Sequence, residues 1–148
     1  MNWFEKNALL AAGITLKGFK TFRGRGEFGD AGGFEATAML DGKVVASFCD
    51  NNDGGELRIH ATPEFLVIAA KYGSDGEHSQ KGEKFTYWLV GWHETIQQLK
   101  RKCKTKVVGI LPDHCEGRFS EWNRPYSEEL VKQIRSKFPT VFIINGHL

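Results

Sequence analysis

Two strand-like runs on either side of an Asp-Gly pair place the strongest constraint on how this 148-residue chain folds. The runs cover residues 34–40 and 43–49, and Asp41-Gly42 lies between them. Asp-Gly accepts the positive φ angles of a type I′ turn, whose twist matches that of two paired antiparallel strands. The pattern therefore predicts a β-hairpin, and with it an antiparallel sheet.

Segments on both sides extend the predicted hairpin into a meander. Residues 14–22 alternate between apolar and polar side chains with a period of two, as a half-buried strand does. After the hairpin, residues 51–55 form a turn-like Asn/Asp/Gly segment, and an alternating run follows at 57–61. We expect four antiparallel strands between residues 14 and 61.

Helical patterns follow the meander. Thr62 is a good helix cap, Pro63 suits the first helical position, and Glu64 complements the helix dipole, so a helix is predicted to about Lys71. Apolar residues then recur every three or four positions between residues 85 and 103, which predicts a long helix with one buried face. The other predicted elements are a short helix within 3–12, strands at 107–111 and 141–145, and a helix at 127–137.

These patterns predict one α+β domain spanning residues 1–148, with the antiparallel meander first. The helices are expected to pack on one face of the sheet, and the two C-terminal strands to join or extend it. The 41% hydrophobic and 26% charged residues argue against disorder, and no apolar run is long enough to span a bilayer. The first residues also lack the pattern of a secretory signal, so a cytoplasmic protein is predicted.

The sequence assigns no catalytic residue, metal ligand or cofactor. Cys49, Cys103 and Cys115 are far apart and contain no C-x-x-C pair, which argues against a disulfide framework and a zinc knuckle. Residues 24–29 match G-x-G-x-x-G, but a strand follows where a dinucleotide site needs a helix. Residues 50–56 are rich in oxygen ligands but depart from the calcium-loop pattern, so a turn is predicted.

Charge is distributed unevenly along the chain. Residues 1–25 carry five basic groups and one acid, residues 26–77 three basic groups and ten acids, and residues 78–148 twelve basic groups and seven acids. This asymmetry is consistent with separate partners on separate faces, and equally with attraction between parts of the same fold.

Basic side chains form the candidate ligand-binding or nucleic-acid-binding set. One group lies where the long helix ends and the next strand begins, and another lies beside the glycines of residues 24–29, where it suits anion binding. A solvated helix end is the competing interpretation of the first group. The candidates are Lys100, Arg101, Lys102, Lys104 and Lys106 in the first group, and Arg23 and Arg25 in the second.

Two parts of the chain resemble small uncharacterised proteins encoded by bacteriophages. The first is the segment LDGKVVASF followed by DNNDGG, and the second is SEELVKQIRSKFPTVFIIN near the end. In that family, a strand with a D-G-K turn precedes another strand and an N/D-G-G loop, and a helix leads into a final strand. The resemblance implies a phage or prophage origin and an accessory role, such as interference with a host factor.

Three functions follow from these observations. The favoured one is a non-enzymatic binding protein that modulates a host protein or captures a small ligand, in the cytoplasm of the host cell if the chain is viral. The second is nucleic-acid binding through the two basic groups. The third is a small hydrolase that uses His114, Cys115 or His93, with Asp113 next to the first of them. No oligomeric state is indicated, and no membrane partner is predicted.

Overall fold

A computed structural model describes residues 1–22, 32–51 and 57–148 of the chain. They divide into two compact units, residues 1–9 with 92–148 (the terminal unit) and residues 10–91 (the central unit). The elements in chain order are α1 (Trp3–Ala11), β1 (Thr15–Phe22), β2 (Gly33–Leu40), β3 (Lys43–Asp50), β4 (Arg58–Ala61), α2 (Pro63–Tyr72), α3 (Glu83–Cys103), β5 (Val107–Ile110), β6 (Ser120–Trp122), α4 (Glu128–Lys137), β7 (Phe142–Ile143) and a 3₁₀ helix (Ile144–His147).

The predicted α+β class and its N-terminal meander are confirmed. Strands β1 to β4 form one antiparallel sheet in chain order. At the hairpin between β2 and β3, Leu40 pairs with Lys43, and the intervening Asp41 and Gly42 have φ angles of 51° and 77°. Both values are positive, as a type I′ turn requires, so this local pair of residues sets the register of the first pairs of the hairpin. The register shifts by one residue between Met39 and Ala38.

Helix α2 contributes Phe65 to an aromatic core within the central unit. The Phe65 backbone N–H donates to the Thr62 hydroxyl, which caps the start of α2 as predicted. The fully buried Phe65 ring lies 6.2 Å from that of Phe48 on β3 and 5.5 Å from that of Phe85 on α3. These aromatic contacts explain why the apolar face of α3 begins at Phe85.

The two C-terminal strands do not extend the meander. They form a separate antiparallel sheet with β6, in the order β6-β5-β7, so the expectation that they join the first sheet is wrong. Strand β5 pairs with β6 on one side and β7 on the other, and all four of its residues are buried. A central strand that is covered on both faces is apolar throughout, which explains the unbroken run VVGI.

Helix α4 covers part of this second sheet within the terminal unit. Its buried Leu130, Val131 and Ile134 pack in one cluster with Val107 of β5 and Ile143 of β7. Ser127 caps the helix, since its hydroxyl accepts from the Leu130 backbone N–H at 3.1 Å. The last predicted strand is shorter than expected, because the chain turns into the 3₁₀ helix at residue 144.

Asn145, at the start of that 3₁₀ helix, continues the pairing of β5 through its side chain. Its Oδ1 accepts from the Val108 N–H and its Nδ2 donates to the Lys106 carbonyl, both at 2.8 Å. An amide side chain presents a carbonyl acceptor beside N–H donors, so it can take the place of a backbone peptide group. Asn145 therefore satisfies one backbone group of β5 and one of the residue just before it, beyond the point where β7 ends.

Within the described ranges, none of the helices is long and apolar enough to cross a membrane.

Candidate functional site

A cleft in the terminal unit lies between strand β6, with the turn after it, and helix α4. We call it the β6–α4 cleft. It has a volume of about 610 Å³. Its lining combines apolar and aromatic side chains with polar and cationic ones: Glu121, Trp122, Asn123, Arg124, Leu130, Gln133, Ile134, Ser136, Lys137 and Phe138.

Trp122, at the end of β6, is positioned by a glycine on the neighbouring strand. It pairs with Val107 of β5. A Cβ placed on Gly109 of the same strand would lie 3.1 Å from Trp122 Cζ3 and 2.9 Å from Val141 Cγ2. Both distances are shorter than ordinary carbon–carbon contacts. The absence of a side chain at Gly109 therefore lets the indole pack closely on β5 and form part of the cleft.

A tight turn follows Trp122 and carries the first cation of the cleft. The Arg124 backbone N–H donates to the Trp122 carbonyl at 2.8 Å, which closes a turn of three residues around Asn123. Only Pro125 and Tyr126 then separate this turn from the α4 cap, Ser127. Such a short connection holds the turn and the first residues of α4 close together.

Helix α4 supplies the opposite wall. Leu130 and Ile134 are buried one turn apart, while Gln133, Ser136 and Lys137 are exposed. Phe138 caps the helix C-terminus, and its backbone N–H donates to the Ile134 carbonyl. The residue is 39% exposed, and its ring lies 6.3 Å from the Trp122 ring at an interplanar angle of 57°. Two aromatic rings thus contribute to the cleft, one from each wall.

Glu121, an acidic residue that lines the cleft, forms salt bridges with two lysines. Its Oε1 accepts from Lys102 Nζ at 2.5 Å and its Oε2 from Lys106 Nζ at 2.9 Å. Hydrogen bonds from these two ammonium groups lower the pKa of Glu121, so the carboxylate stays ionised and doubly compensated. Arg124 and Lys137 make no ion pair within the described part of the chain. The cleft therefore has a cationic rim.

Another depression lies along strands β3 and β4 in the central unit. It measures about 390 Å³ and is lined by residues 44–47 and 60–62. Its lining is mostly aliphatic, with one imidazole from His60, and it includes no Phe, Tyr or Trp and no Lys or Arg. It offers a ligand fewer distinct interactions than the β6–α4 cleft does.

The predicted basic group near the end of α3 is divided by the fold. Lys102 and Lys106 bind Glu121, and Lys102 Nζ also lies 5.7 Å from the centre of the Phe119 ring. Lys100, Arg101 and Lys104 are exposed. The other basic candidates, Arg23 and Arg25, lie outside the described residues, as does the whole segment 24–29.

The hydrolase candidate His114 has a structural role in its own turn. Its side-chain Nδ1 accepts from the Leu111 backbone N–H at 3.1 Å. The backbone N–H of His114 donates to the Leu111 carbonyl at 3.0 Å. Helix α1 holds the same loop, since Trp3 Nε1 donates to the Arg118 carbonyl at 2.8 Å. One ring nitrogen of His114 is therefore occupied, and the loop is fixed from both sides.

The remaining reactive side chains show local effects of burial. Burial lowers the pKa of His93, an effect that nearby Lys100 reinforces and Glu94 opposes. Burial also raises the pKa of the Cys103 thiol, which favours its unreactive protonated form. Among the residues that the structure describes, no three His, Cys, Asp or Glu side chains are grouped as a metal site requires.

Part of the oxygen-rich segment 50–56 also falls outside the described residues, which resume at 57. Asp50 itself accepts a hydrogen bond from the Tyr87 hydroxyl at 2.8 Å. Burial raises the pKa of Tyr87, and the hydrogen bond to Asp50 and the charge of that carboxylate add to the effect. The described end of the segment is thus tied to α3 within the central unit.

Comparison of the chain with protein-family models, with curated proteins and with solved structures gives no match.

Sequence patterns do not identify the residues of the β6–α4 cleft as a site. Strand β6 has three residues, which is too short for an alternating pattern to indicate a strand. The one local signal is the segment Trp122-Asn123-Arg124, an aromatic and a cation just before a helix cap. That signal becomes informative once Gly109 and Phe138 are known to lie beside the Trp122 ring.

Proposed function

We propose that this chain is a binding protein that captures a small ligand in the β6–α4 cleft. The observation that carries the proposal is the cleft itself. Its volume of about 610 Å³ lies within the usual range of small-molecule sites, roughly 300–1,000 Å³. Its lining has the usual character of such sites, an apolar and aromatic surface with a few polar groups.

The apolar part of the cleft supplies affinity. Burial of apolar surface contributes roughly 25 cal/mol per Å², so about 100 Å² covered by a ligand is worth roughly 2.5 kcal/mol. Favourable ring contacts with Trp122 and Phe138 add about 0.5–1.5 kcal/mol for an aromatic ligand. The Trp122 side of the cleft is held by its close packing on Gly109, which reduces the ordering cost of binding.

The sequence left two kinds of binding open, a host protein and a small ligand, and the cleft supports the second. The phage or prophage origin implied by the resemblance stays a prediction. Nucleic-acid binding has less support, because Lys102 and Lys106 already share the carboxylate of Glu121. Within the described residues, three exposed cations of that group are left for phosphate contacts: Lys100, Arg101 and Lys104.

Titration of the protein with a small aromatic probe tests the proposal. We expect 2-naphthamide and 2-naphthoate to bind, as measured by calorimetry or by ligand-observed NMR. Phe138→Ala should weaken binding of both about tenfold, because the loss of stacking and apolar contact together approaches 1.4 kcal/mol. The backbone hydrogen bond of residue 138 does not depend on the side chain, so α4 keeps its end.

Tyr126→Ala is the matched control. Tyr126 is an aromatic residue of the same unit and is 52% exposed, but it does not line the cleft. The control should bind both probes as the wild type does. If neither probe binds at millimolar concentration, or if the two variants lose the same affinity, the proposed function is wrong.

A further inference from the structure

The charges around the cleft indicate which chemical class of ligand it accepts. We propose that the ligand is a planar aromatic anion, whose ring contacts Trp122 and Phe138 and whose carboxylate or phosphate is bound by Arg124 and Lys137. This proposal rests on the proposed function, since it specifies the ligand of the same cleft.

An aromatic ring and a cation occur together on each wall. Trp122 is followed two positions later by Arg124, whose backbone N–H is bonded to the Trp122 carbonyl. On the other wall, Lys137 directly precedes Phe138 at the end of α4. All four residues line the cleft. A ligand that fits both walls therefore needs an aromatic body with a negative group at its edge.

The acid beside these groups does not cancel their charge. Among the described residues that line the cleft, Glu121 is the one with a carboxylate, and it accepts hydrogen bonds from both Lys102 and Lys106. Counting those lysines, the group of Glu121, Lys102, Lys106, Arg124 and Lys137 has four positive charges and one negative charge. An anion is attracted to this rim, and a cation is repelled by it.

The polar groups of the cleft can also bind an anion directly. A guanidinium donates two parallel hydrogen bonds to a carboxylate or a phosphate, and an ammonium adds a compact positive charge. Asn123 and Gln133 offer further side-chain donors on the same rim, whereas the Ser136 hydroxyl already donates to the Gln133 carbonyl. Exposed cations are screened by salt, so their effect should decrease as ionic strength rises.

A set of probes that share one ring system isolates the role of charge. The set is 2-naphthoate, 2-naphthyl phosphate, the neutral 2-naphthamide and the cationic 2-naphthylmethylammonium, each titrated at low and high salt. We expect naphthoate to bind at least about tenfold more tightly than naphthamide, and the cation to bind most weakly. Whichever of the two anions binds more tightly identifies the anionic group, and either order supports the proposal.

Variants then assign the preference to the two cations. Arg124→Gln and Lys137→Gln should each remove most of the advantage of naphthoate over naphthamide and leave naphthamide affinity within about twofold. Lys132→Gln is the control, since Lys132 is an exposed cation of the same helix that does not line the cleft. Circular dichroism of each variant checks that the fold is kept.

The outcomes separate this proposal from the one it depends on. If naphthamide binds as tightly as naphthoate, the proposed ligand class is wrong while the cleft still captures a small ligand. If the preference for naphthoate persists in both Gln variants, the anion site lies elsewhere and the assignment to Arg124 and Lys137 is wrong. If no probe binds, both proposals are overturned.

Discussion

Replacement of Gly109 by alanine tests how the fold builds the cleft. The new Cβ would lie 2.9 Å from Val141 Cγ2 and 3.1 Å from Trp122 Cζ3. Comfortable carbon–carbon contacts begin near 3.5 Å, so the two gaps are short by about 0.6 and 0.4 Å. The Phe142 carbonyl oxygen, at 3.3 Å, limits movement on the β7 side.

The size of the effect follows from two opposing contributions. Overpacking of a filled core costs about 1–3 kcal/mol, and Val141 is buried and has little room to move. Alanine also gives the unfolded chain less conformational freedom than glycine does, which stabilises the folded state by about 0.4–1 kcal/mol. Gly109→Ala should therefore lower the free energy of unfolding by roughly 1–2 kcal/mol. The more exposed Trp122 ring should shift, so affinity for 2-naphthoate should also fall.

Gly91→Ala supplies a control of opposite sign. Gly91 lies within α3, and a Cβ there would meet no atom within 4 Å from the described residues outside its own helical turn. Alanine is favoured over glycine inside a helix by about 0.5–1 kcal/mol, so this variant should be as stable as the wild type or more stable. Urea unfolding followed by tryptophan fluorescence measures both changes.

One result would refute the reasoning about Gly109. If Gly109→Ala unfolds at the same urea concentration as the wild type and binds 2-naphthoate equally well, the close packing of Trp122 on β5 does not position the ring.

Two further variants test the polar contacts of the terminal unit. Asn145→Ala removes the hydrogen bonds to the Val108 N–H and the Lys106 carbonyl. The free energy of unfolding measured in urea should therefore fall by about 2–3 kcal/mol. Replacement of the exposed Asn123 by alanine, the control, should lower it by less than about 0.5 kcal/mol. Glu121→Gln should lower the free energy of unfolding by about 1 kcal/mol at pH 7 and low salt, and by less at high salt. Because folding lowers the pKa of Glu121 below its ordinary value of 4.5, its contribution is complete above that pH and is lost as the pH falls through the folded-state pKa. Unfolding of the wild type and the variant at pH 7 and at pH 3 should therefore show the difference between them shrinking in acid, and an unchanged difference would contradict the assignment.

The parts of the fold that the sequence predicted are those fixed by neighbours in the chain. Asp41-Gly42 specifies its own turn, since both residues have the positive φ angles that this pair tolerates. Thr62 and Ser127 each cap a helix through the backbone N–H three residues later. In each case the interacting groups lie within a few positions, so a local pattern contains the information.

The partition into two sheets depends on pairings between distant residues. Strand β5 pairs with β7 more than thirty positions later. The local sequence of each strand does not determine which sheet that strand joins. The sequence does not indicate strand β6 for a related reason. Its three residues have no periodicity of their own, and their conformation is set by pairing with β5.

The cleft depends even more on tertiary contacts. Its Trp122 wall requires a glycine thirteen positions earlier, and its other aromatic ring lies sixteen positions later at the end of α4. The helix itself is predicted from Ser127 at its start, from Glu128 and Glu129 in its first turn and from Pro139 after its end. Those local features indicate where α4 begins and ends, but not that its C-terminal end lies beside the indole of Trp122.

Glu121 affects both candidate functions, small-ligand binding and nucleic-acid binding. The number of basic residues in the segment 100–106 favours phosphate binding. In the folded chain, Glu121 engages Lys102 and Lys106, which lie nineteen and fifteen positions before it. The same two hydrogen bonds that weaken the nucleic-acid interpretation also compensate the carboxylate beside Arg124 and Lys137. Glu121 thus neutralises part of the positive charge at the helix end, and its own charge is compensated beside the rim of the cleft. The proposal that the cleft captures an anion, rather than that α3 contacts phosphates, depends on this distribution of charge.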